Sequence, residues 1–334
     1  MKTAMKTANR ILTSIAVVAA AVATVLPVGE AQAQKRWSIA TSSTGSSPYM
    51  TGSNIATVLN RLQDKVLLSA QTSGGFNENL ALVGADKVNL AMSTTMHADF
   101  AYTGRGRFGK LPGNEMFRSI RLLFPVTLDT LHIAVLAKSG IKLLQDLKGR
   151  KVNLNVPATA TRSINKRFFA AAKINLNDFK VFAISTKGSF DALRDGVIDA
   201  TSNILPKGAG ILQQLAAAKP VDLVPIPGDV FERLNKMFAG TLARSIVKAN
   251  TYPGQTADVP SFSIPAVLIT NEKSDPDLIY AFVRAYWENI GGLVKLDRTL
   301  GDVSLKFAAA AADRAATPMH PGAARYFKEK GLLR

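Results

Sequence analysis

The chain has 334 residues, 47% hydrophobic and 19% charged, a length that fits about two domains with sizeable cores. It contains no cysteine, which excludes disulfides, thiolate nucleophiles and cysteine-held zinc or iron–sulfur centres. Lysine and arginine number 41 against 24 acidic residues, a formal net charge of +17; such an excess suits an anionic small molecule, a nucleic acid or an anionic membrane surface.

Met1 to Arg10 carries Lys2, Lys6 and Arg10 and no acid, and Ile11 to Leu26 is almost wholly apolar. Ala31-Gln32-Ala33 then supplies a small-x-small site, so residues 1–33 are expected to be a secretory signal peptide cleaved after Ala33. The apolar stretch is short for a membrane span, which leaves a retained anchor as the alternative. Export to the periplasm follows from this reading, and it argues against a nucleic-acid partner. The one basic cluster, Arg105-Gly106-Arg107-Phe108-Gly109-Lys110, is expected to be a solvated loop tip.

Beyond the leader, short apolar runs alternate with amphipathic ones. Strands are expected at Trp37–Thr41, Val66–Ala70, Val88–Ser93, Leu131–Ala137, Val152–Val156, Val181–Ser185 and Ala266–Thr270. Between the first two, Ile55, Val58, Leu59 and Leu62 share one helical face. Near the end, Ser274-Asp275-Pro276 opens a helix with Leu278, Phe282, Tyr286 and Ile290 in register. The alternation predicts an α/β fold with mainly parallel strands. Chain crossings near 135 and 265 would divide it into a first lobe of residues 34–134 and 266–334 and a second lobe of residues 135–265.

Three strand-to-helix junctions are rich in small hydroxyls: Ser42-Ser43-Thr44-Gly45-Ser46-Ser47-Pro48-Tyr49, Gln71-Thr72-Ser73-Gly74-Gly75-Phe76-Asn77-Glu78-Asn79 and Pro157-Ala158-Thr159-Ala160-Thr161-Arg162. Free N–H groups at helix N-termini hold anions, and in open α/β sheets such loops gather at the carboxyl edge of the strands. Each alone reads equally as a turn or a cap. Together they describe a crevice for a small anion. Enzyme signatures (G-x-S-x-G, Walker A, H-E-x-x-H, a dinucleotide fingerprint) do not occur, and no enzyme, metal or cofactor is expected. Of the three histidines, His97 reads as a cap or packing residue, His132 as a core or hinge hydrogen-bonder, and His320 as the holder of a turn before the last helix. Trp37 and Trp287 read as core anchors.

Several of these segments resemble the TAXI family of solute-binding proteins, which serve TRAP-type secondary transporters. Ser43-Thr44-Gly45-Ser46 with Tyr49 and Gly52 is similar to that family's S-T-G-G-x-Y-Y-x-x-G loop, and Gly74-Gly75 with Asn77-Glu78-Asn79 to its G-G-S-V-E-N. Ala192-Leu193-Arg194-Asp195-Gly196-Val197-Ile198-Asp199-Ala200 resembles A-L-x-D-G-x-I-D-A. Thr251-Tyr252-Pro253-Gly254-Gln255 and His320-Pro321-Gly322-Ala323-Ala324-Arg325-Tyr326-Phe327 are the most specific matches. The resemblance implies a two-lobed type II periplasmic binding protein with its ligand cleft between the lobes. It further implies a small carboxylate ligand (amino acid, dicarboxylate or 2-oxo acid) delivered to a membrane-embedded TRAP permease. An ABC-importer binding protein or a ligand-presenting sensor on the same fold is the alternative. Ser43, Thr44, Gly45, Tyr49, Gly74, Gly75, Thr94, Thr95, Thr159, Thr161 and Arg162 are the ligand-binding residues this implies. The chain departs from the family at Ala158-Thr159-Ala160-Thr161, where Gly-Ser-Gly-Thr is frequent, at Thr94-Thr95-Met96 and at Phe76. The expected result is a re-specified, more apolar pocket, with Arg162 offered as a bidentate carboxylate partner.

Overall fold

Apolar runs bounded by Gly, Ser and Thr turns fold as alternating strands and helices, and two long strands interrupt the alternation. The computed structural model describes residues 35–334 apart from Ser43, Gly45, Gln63, Asp64, Arg107, Pro112 and Ala158. The expected signal peptide lies outside the described residues.

The first part runs β1 (Lys35–Ala40), α1 (Ser47–Leu62), β2 (Val66–Gln71), α2 (Phe76–Gly84), β3 (Leu90–Thr94) and α3 (Thr95–Tyr102). Then comes β4 (Ile120–Leu136), the longest strand. The middle part is β5 (Lys151–Asn153), α4 (Ala160–Ala171), β6 (Lys180–Phe182), α5 (Thr186–Arg194), β7 (Ala200–Pro206), α6 (Gly210–Ala218), β8 (Val221–Leu223), α7 (Gly228–Met237) and β9 (Ala243–Val247). The chain returns along β10 (Val259–Asn271) and ends in α8 (Pro276–Glu288), α9 (Ile290–Leu296), α10 (Leu305–Asp313) and α11 (Pro321–Glu329).

The strands form one sheet in the order β2-β1-β3-β10-β4-β7-β5-β6, with β8 added to β4 and β9 to β10. The outer pairs β1–β2, β1–β3, β5–β6 and β5–β7 are parallel, as expected from the alternation. The two central strands run antiparallel to their neighbours, so the sheet is mixed and the expectation of mainly parallel pairing is corrected. The physical reason is that β4 and β10 carry the chain between the two halves in opposite directions. Strand β4 pairs with β10 from Ile120 to Thr130 and with β7 from Asp129 to Val135. At that handover the buried hydroxyls of Thr130 and Ser263 share a hydrogen bond of 2.6 Å. Both long strands begin well before the expected Leu131 and Ala266, because Arg121, Pro125, Asp129, Pro260 and Pro265 interrupt the apolar signal without ending the ladder.

Helices cover both faces of each half. In the first half, Ile55 and Leu59 of α1, Phe282 of α8 and Phe327 of α11 join Trp37, Phe124 and Leu268 in one core, with the Phe124 and Tyr286 rings 4.6 Å apart. Leu80 and Val83 of α2 and Ala98 and Ala101 of α3 fill the opposite face. In the second half, Phe168, Phe169, Phe231 and Leu234 of α4 and α7 lie on one side, and Phe190, Leu193, Leu212 and Leu215 of α5 and α6 on the other. Among the described residues no helix is long and apolar enough to cross a membrane.

The histidines hold joints. His320 Nδ1 accepts the Gly322 N–H at 3.2 Å and caps α11, and its Nε2 lies 3.1 Å from the Ser274 carbonyl. Buried His132 places Nδ1 2.9 Å from the Thr130 carbonyl and Nε2 3.0 Å from the Tyr252 hydroxyl. Burial pushes His132 down to about 4 and Tyr252 up to about 12, so both are neutral at physiological pH. Gly322 is where α11 meets α8: a Cβ there would stand 2.3 Å from the Pro276 carbonyl oxygen and 2.9 Å from the Tyr280 nitrogen. Both are backbone atoms, so relief requires moving a helix. Gly322→Ala is expected to cost about 2–3 kcal/mol, read as a lowered midpoint in urea with an unchanged slope.

Candidate functional site

Where strands meet helices at one edge of the sheet, the two halves face each other across a cavity of about 580 Å³, the size of a small-molecule site. Four helix N-termini bearing hydroxyls reach it. Thr44, Ser46 and Ser47 line it at the start of α1, where Ser46 Oγ accepts the Tyr49 N–H at 3.4 Å. Thr94 caps α3, accepting the His97 N–H at 3.1 Å, and its hydroxyl also lies 2.7 Å from His97 Nδ1. From the second half, Thr161 lines the cavity in the first turn of α4, where Thr159 is the cap. Ser185 caps α5, and Ser185, Thr186 and Lys187 line the cavity beside it. Unsatisfied N–H groups and the positive ends of the helix dipoles therefore surround the space from both sides, an arrangement that favours an anionic group.

The rest of the lining is apolar apart from His97 and one acid. Phe76, Ile164, Ile204, Leu205, Pro206, Ile211 and Ile264 line the cavity, and Asp129 of β4 stands among them. Asp129 occupies the handover of β4, opposite Ile264 of β10 and Pro206 of β7. Its Oδ1 is buried without a hydrogen-bond partner. Burial first, and the Asp297 carboxylate second, raise Asp129 to about 7. Asp297 itself is held by the Thr51 hydroxyl at 2.8 Å and the Thr299 hydroxyl at 2.5 Å.

A second chamber of about 400 Å³ shares His97 and Ala160 with the first. Arg105, Arg162, Lys166 and Arg167 line it together with Met96, Phe100 and Thr159, and no acid does. Arg167 lies over the Phe100 ring at 6.0 Å. Its basic side chains give this chamber a positive potential beside the cavity.

The structure brings some of the expected residues together and separates others. Thr44, Thr94 and Thr161 line the main cavity. Thr159 and Arg162 line the basic chamber; Thr159 donates to the Val156 carbonyl at 2.8 Å, and Arg162 Nη1 reaches the Asn155 carbonyl at 3.3 Å. Ser43 and Gly45 lie outside the described residues. Tyr49, Gly74 and Gly75 are not among the residues lining either space. Tyr49 is half-buried in the first turn of α1, and the Gly74 N–H is taken by Glu78 Oε2 at 2.5 Å. Gly75 has φ +96°, the left-handed region that glycine permits, and it starts α2. Thr95 is turned away: it borders a separate small hollow with Leu242, Pro265 and Ala311. Thr94 and Thr95 are neighbours in the chain, and the helix start sends their side chains to different places. Phe76 stands in the main cavity, 6.3 Å from the His97 ring, whereas Met96 belongs to the basic chamber.

Asn79 explains the second junction better than an anion does. Its Nδ2 donates to the carbonyls of Thr41 and Met92 at 2.7 Å each, and its Oδ1 accepts from Ser73 Oγ at 2.6 Å. In the second half Asn165 of α4 does the same work, donating to Ser202 at 2.9 Å and Leu154 at 3.2 Å. The sequence reading missed Ser185-Thr186, which carry the same strand–hydroxyl–helix signature as the other junctions. It also missed Asp129, which was visible as an acid inside an apolar run.

The chain belongs to the NMT1-like family, whose model matches residues 39–331. Among solved structures it is similar to the periplasmic sulfonate-binding protein SsuA of a putative sulfonate ABC transporter from Methylobacillus flagellatus KT, at 14% identity over 90% of this chain and 96% of that one, with a TM-score of 0.53. It is also similar to the periplasmic aliphatic sulphonate binding protein SsuA from Escherichia coli, at 13% identity, 90% and 88% coverage and a TM-score of 0.50. A protein from Bordetella bronchiseptica RB50 matches at 17% identity, 89% and 98% coverage and a TM-score of 0.50. At these identities the likeness is one of fold, that of the two-lobed type II periplasmic binding proteins.

Proposed function

We infer that this NMT1-like protein is an extracytoplasmic receptor that captures a small anionic solute between its lobes and hands it to a membrane-embedded importer. The observation that carries this reading is the cavity walled from both halves, with the N-termini of α1 and α3 on one side and of α4 and α5 on the other. The lobes meet along β4 and β10, and we place the hinge at Asp129–Thr130 and Ser263, a few residues ahead of the boundaries at 135 and 265. A ligand touching both walls selects the closed state by the contacts it gains there. The hydroxyl-lined helix starts and the basic chamber support an anionic end on the solute, and the isoleucines, Pro206 and Phe76 support an apolar body.

For the importer, an ABC-type permease with its ATPase is the better-supported partner, since a similar fold serves a putative sulfonate ABC transporter. The TRAP-type permease rests on the TAXI-like motifs alone and is the second reading. A neighbouring gene for an ATPase supports the first, and one for a large multi-span permease without an ATPase supports the second.

A thermal-shift panel of carboxylates and sulfonates on the purified protein tests the receptor reading. A ligand at about 100 times its dissociation constant adds ~2.7 kcal/mol, a rise of ~4 °C for a chain of this size. At least one acid is expected to give that rise; a flat response across the panel overturns the reading.

A further inference from the structure

We propose that Asp129 is a specificity-determining residue of the cleft, one that accepts a protonated nitrogen of the solute, so that the ligand is amphoteric: an anionic group at the helix N-termini and an ammonium at this carboxylate. The inference rests on the receptor reading above and narrows its ligand class. Asp129 is the one acid among the residues lining the main cavity, and it stands among apolar neighbours. Its Oδ1 is buried and has no hydrogen-bond partner among the described residues. A buried carboxylate oxygen without a donor is an incomplete interaction, and what completes it best is a charged N–H donor.

Among the described residues no side chain donates to this oxygen, and Lys187, which lines the same cavity, has its Nζ 3.2 Å from Asp191. Across the cavity stand His97 of α3 and Lys187 of α5, and His97 Nδ1 is engaged with Thr94. Behind lies Asp297, whose like charge adds to the demand for a cation. Along the strands, His132 is bound to Thr130 and Tyr252, and Lys207, just beyond β7, lies 3.5 Å from Asp302. The basic residues of the adjoining chamber serve the other end of the ligand. A dicarboxylate laid in this cavity would bring one carboxylate to the helix starts and the other toward Asp129, where like charges repel. An ammonium there meets an acceptor with no competitor.

The test uses matched ligand pairs: L-leucine against 4-methyl-2-oxopentanoate, and 4-aminobutyrate against succinate, each titrated calorimetrically into the protein in two buffers of different ionisation enthalpy. The amino member of a pair is expected to bind at least tenfold more tightly than its partner. Because burial holds Asp129 near 7 in the empty cleft, an ammonium that fixes it as the anion releases about half a proton at pH 7. Asp129→Asn should weaken the amino ligand at least tenfold, abolish the proton release and narrow the gap to the dicarboxylate. Should that variant fail to fold, the sign of proton linkage in the wild type still decides. Tighter binding of the oxo acid or dicarboxylate, with proton uptake, overturns this inference and leaves the receptor reading intact. No binding of any pair, together with a flat response across the acid panel, overturns both.

Discussion

Asparagine in place of Asp129 is expected to raise the melting temperature of the ligand-free protein by roughly 6 °C at pH 8, and progressively less as the pH falls toward 4. The folded chain keeps the Asp129 proton up to about 7, whereas a free carboxyl gives it up near 3.8. Between those values the folded state binds more protons than the unfolded one, so stability is fully present below 3.8 and is lost as the pH rises through 7. Integrated over the window, the ionised carboxylate costs ~4 kcal/mol at pH 8, a cost that the neutral amide does not carry. His132 works in the opposite sense, because burial lowers it from 6.5 to about 4 and the unfolded state binds more protons between these values. That contribution is common to both proteins and cancels in their difference. Melting curves of the two proteins from pH 4 to pH 8 provide the check. A difference that stays constant with pH would mean that Asp129 is ionised in the folded protein without penalty.

The same residue shows why part of the site was hard to read. What the sequence announced were local devices: Thr94 and Thr159 before amphipathic helices, Gly75 at a left-handed start, Ser274-Asp275-Pro276 at the head of α8. Caps and turns are set by residues within four positions of one another, so a one-dimensional pattern carries them. The cavity instead depends on where β4 changes partner from β10 to β7, a matter of pairings more than 70 residues apart along the chain. Asp129 could be seen as an acid in an apolar run, and only that pairing gives it a neighbourhood. Thr95 shows a related effect: which way its hydroxyl points depends on where α3 begins. Arg162 was offered a carboxylate of the ligand, yet its guanidinium reaches backbone carbonyls at the edge of the basic chamber. The mixed sheet was hidden because β4 and β10, which run between the two halves, carry polar and proline interruptions.

The junction at Gly74–Asn79 leads to the second large effect, since its chemistry is that of a pin. Asn79 is fully buried and ties α2 to the end of β1 and to β3 by donating to the Thr41 and Met92 carbonyls. Asn79→Asp changes almost no volume and replaces that donor with an acceptor. Two carbonyl oxygens then face a carboxylate, each left without its donor at ~1–3 kcal/mol, and a buried charge is added. The expected loss is 4 kcal/mol or more, against ~2–3 kcal/mol for Asn79→Ala, which strands the same carbonyls without adding charge. The aspartate defect should shrink as the pH is lowered and the buried carboxyl takes up a proton, and the alanine defect should not. Asn165→Asp is expected to repeat the pattern in the second lobe, where Asn165 ties α4 to the ends of β5 and β7. Urea titrations of Asn79→Asp, Asn79→Ala, Asn165→Asp and Asn165→Ala at pH 7 and pH 4.5 read this directly. If aspartate proves no worse than alanine at pH 7, donation to the strand ends is not what fixes these helices, and the position of Phe76 in the cleft needs another cause. If the order holds, the loops that looked like anion cradles are first of all the joints that aim helix N-termini at the cavity, with the ligand contacts left to the hydroxyls beside them.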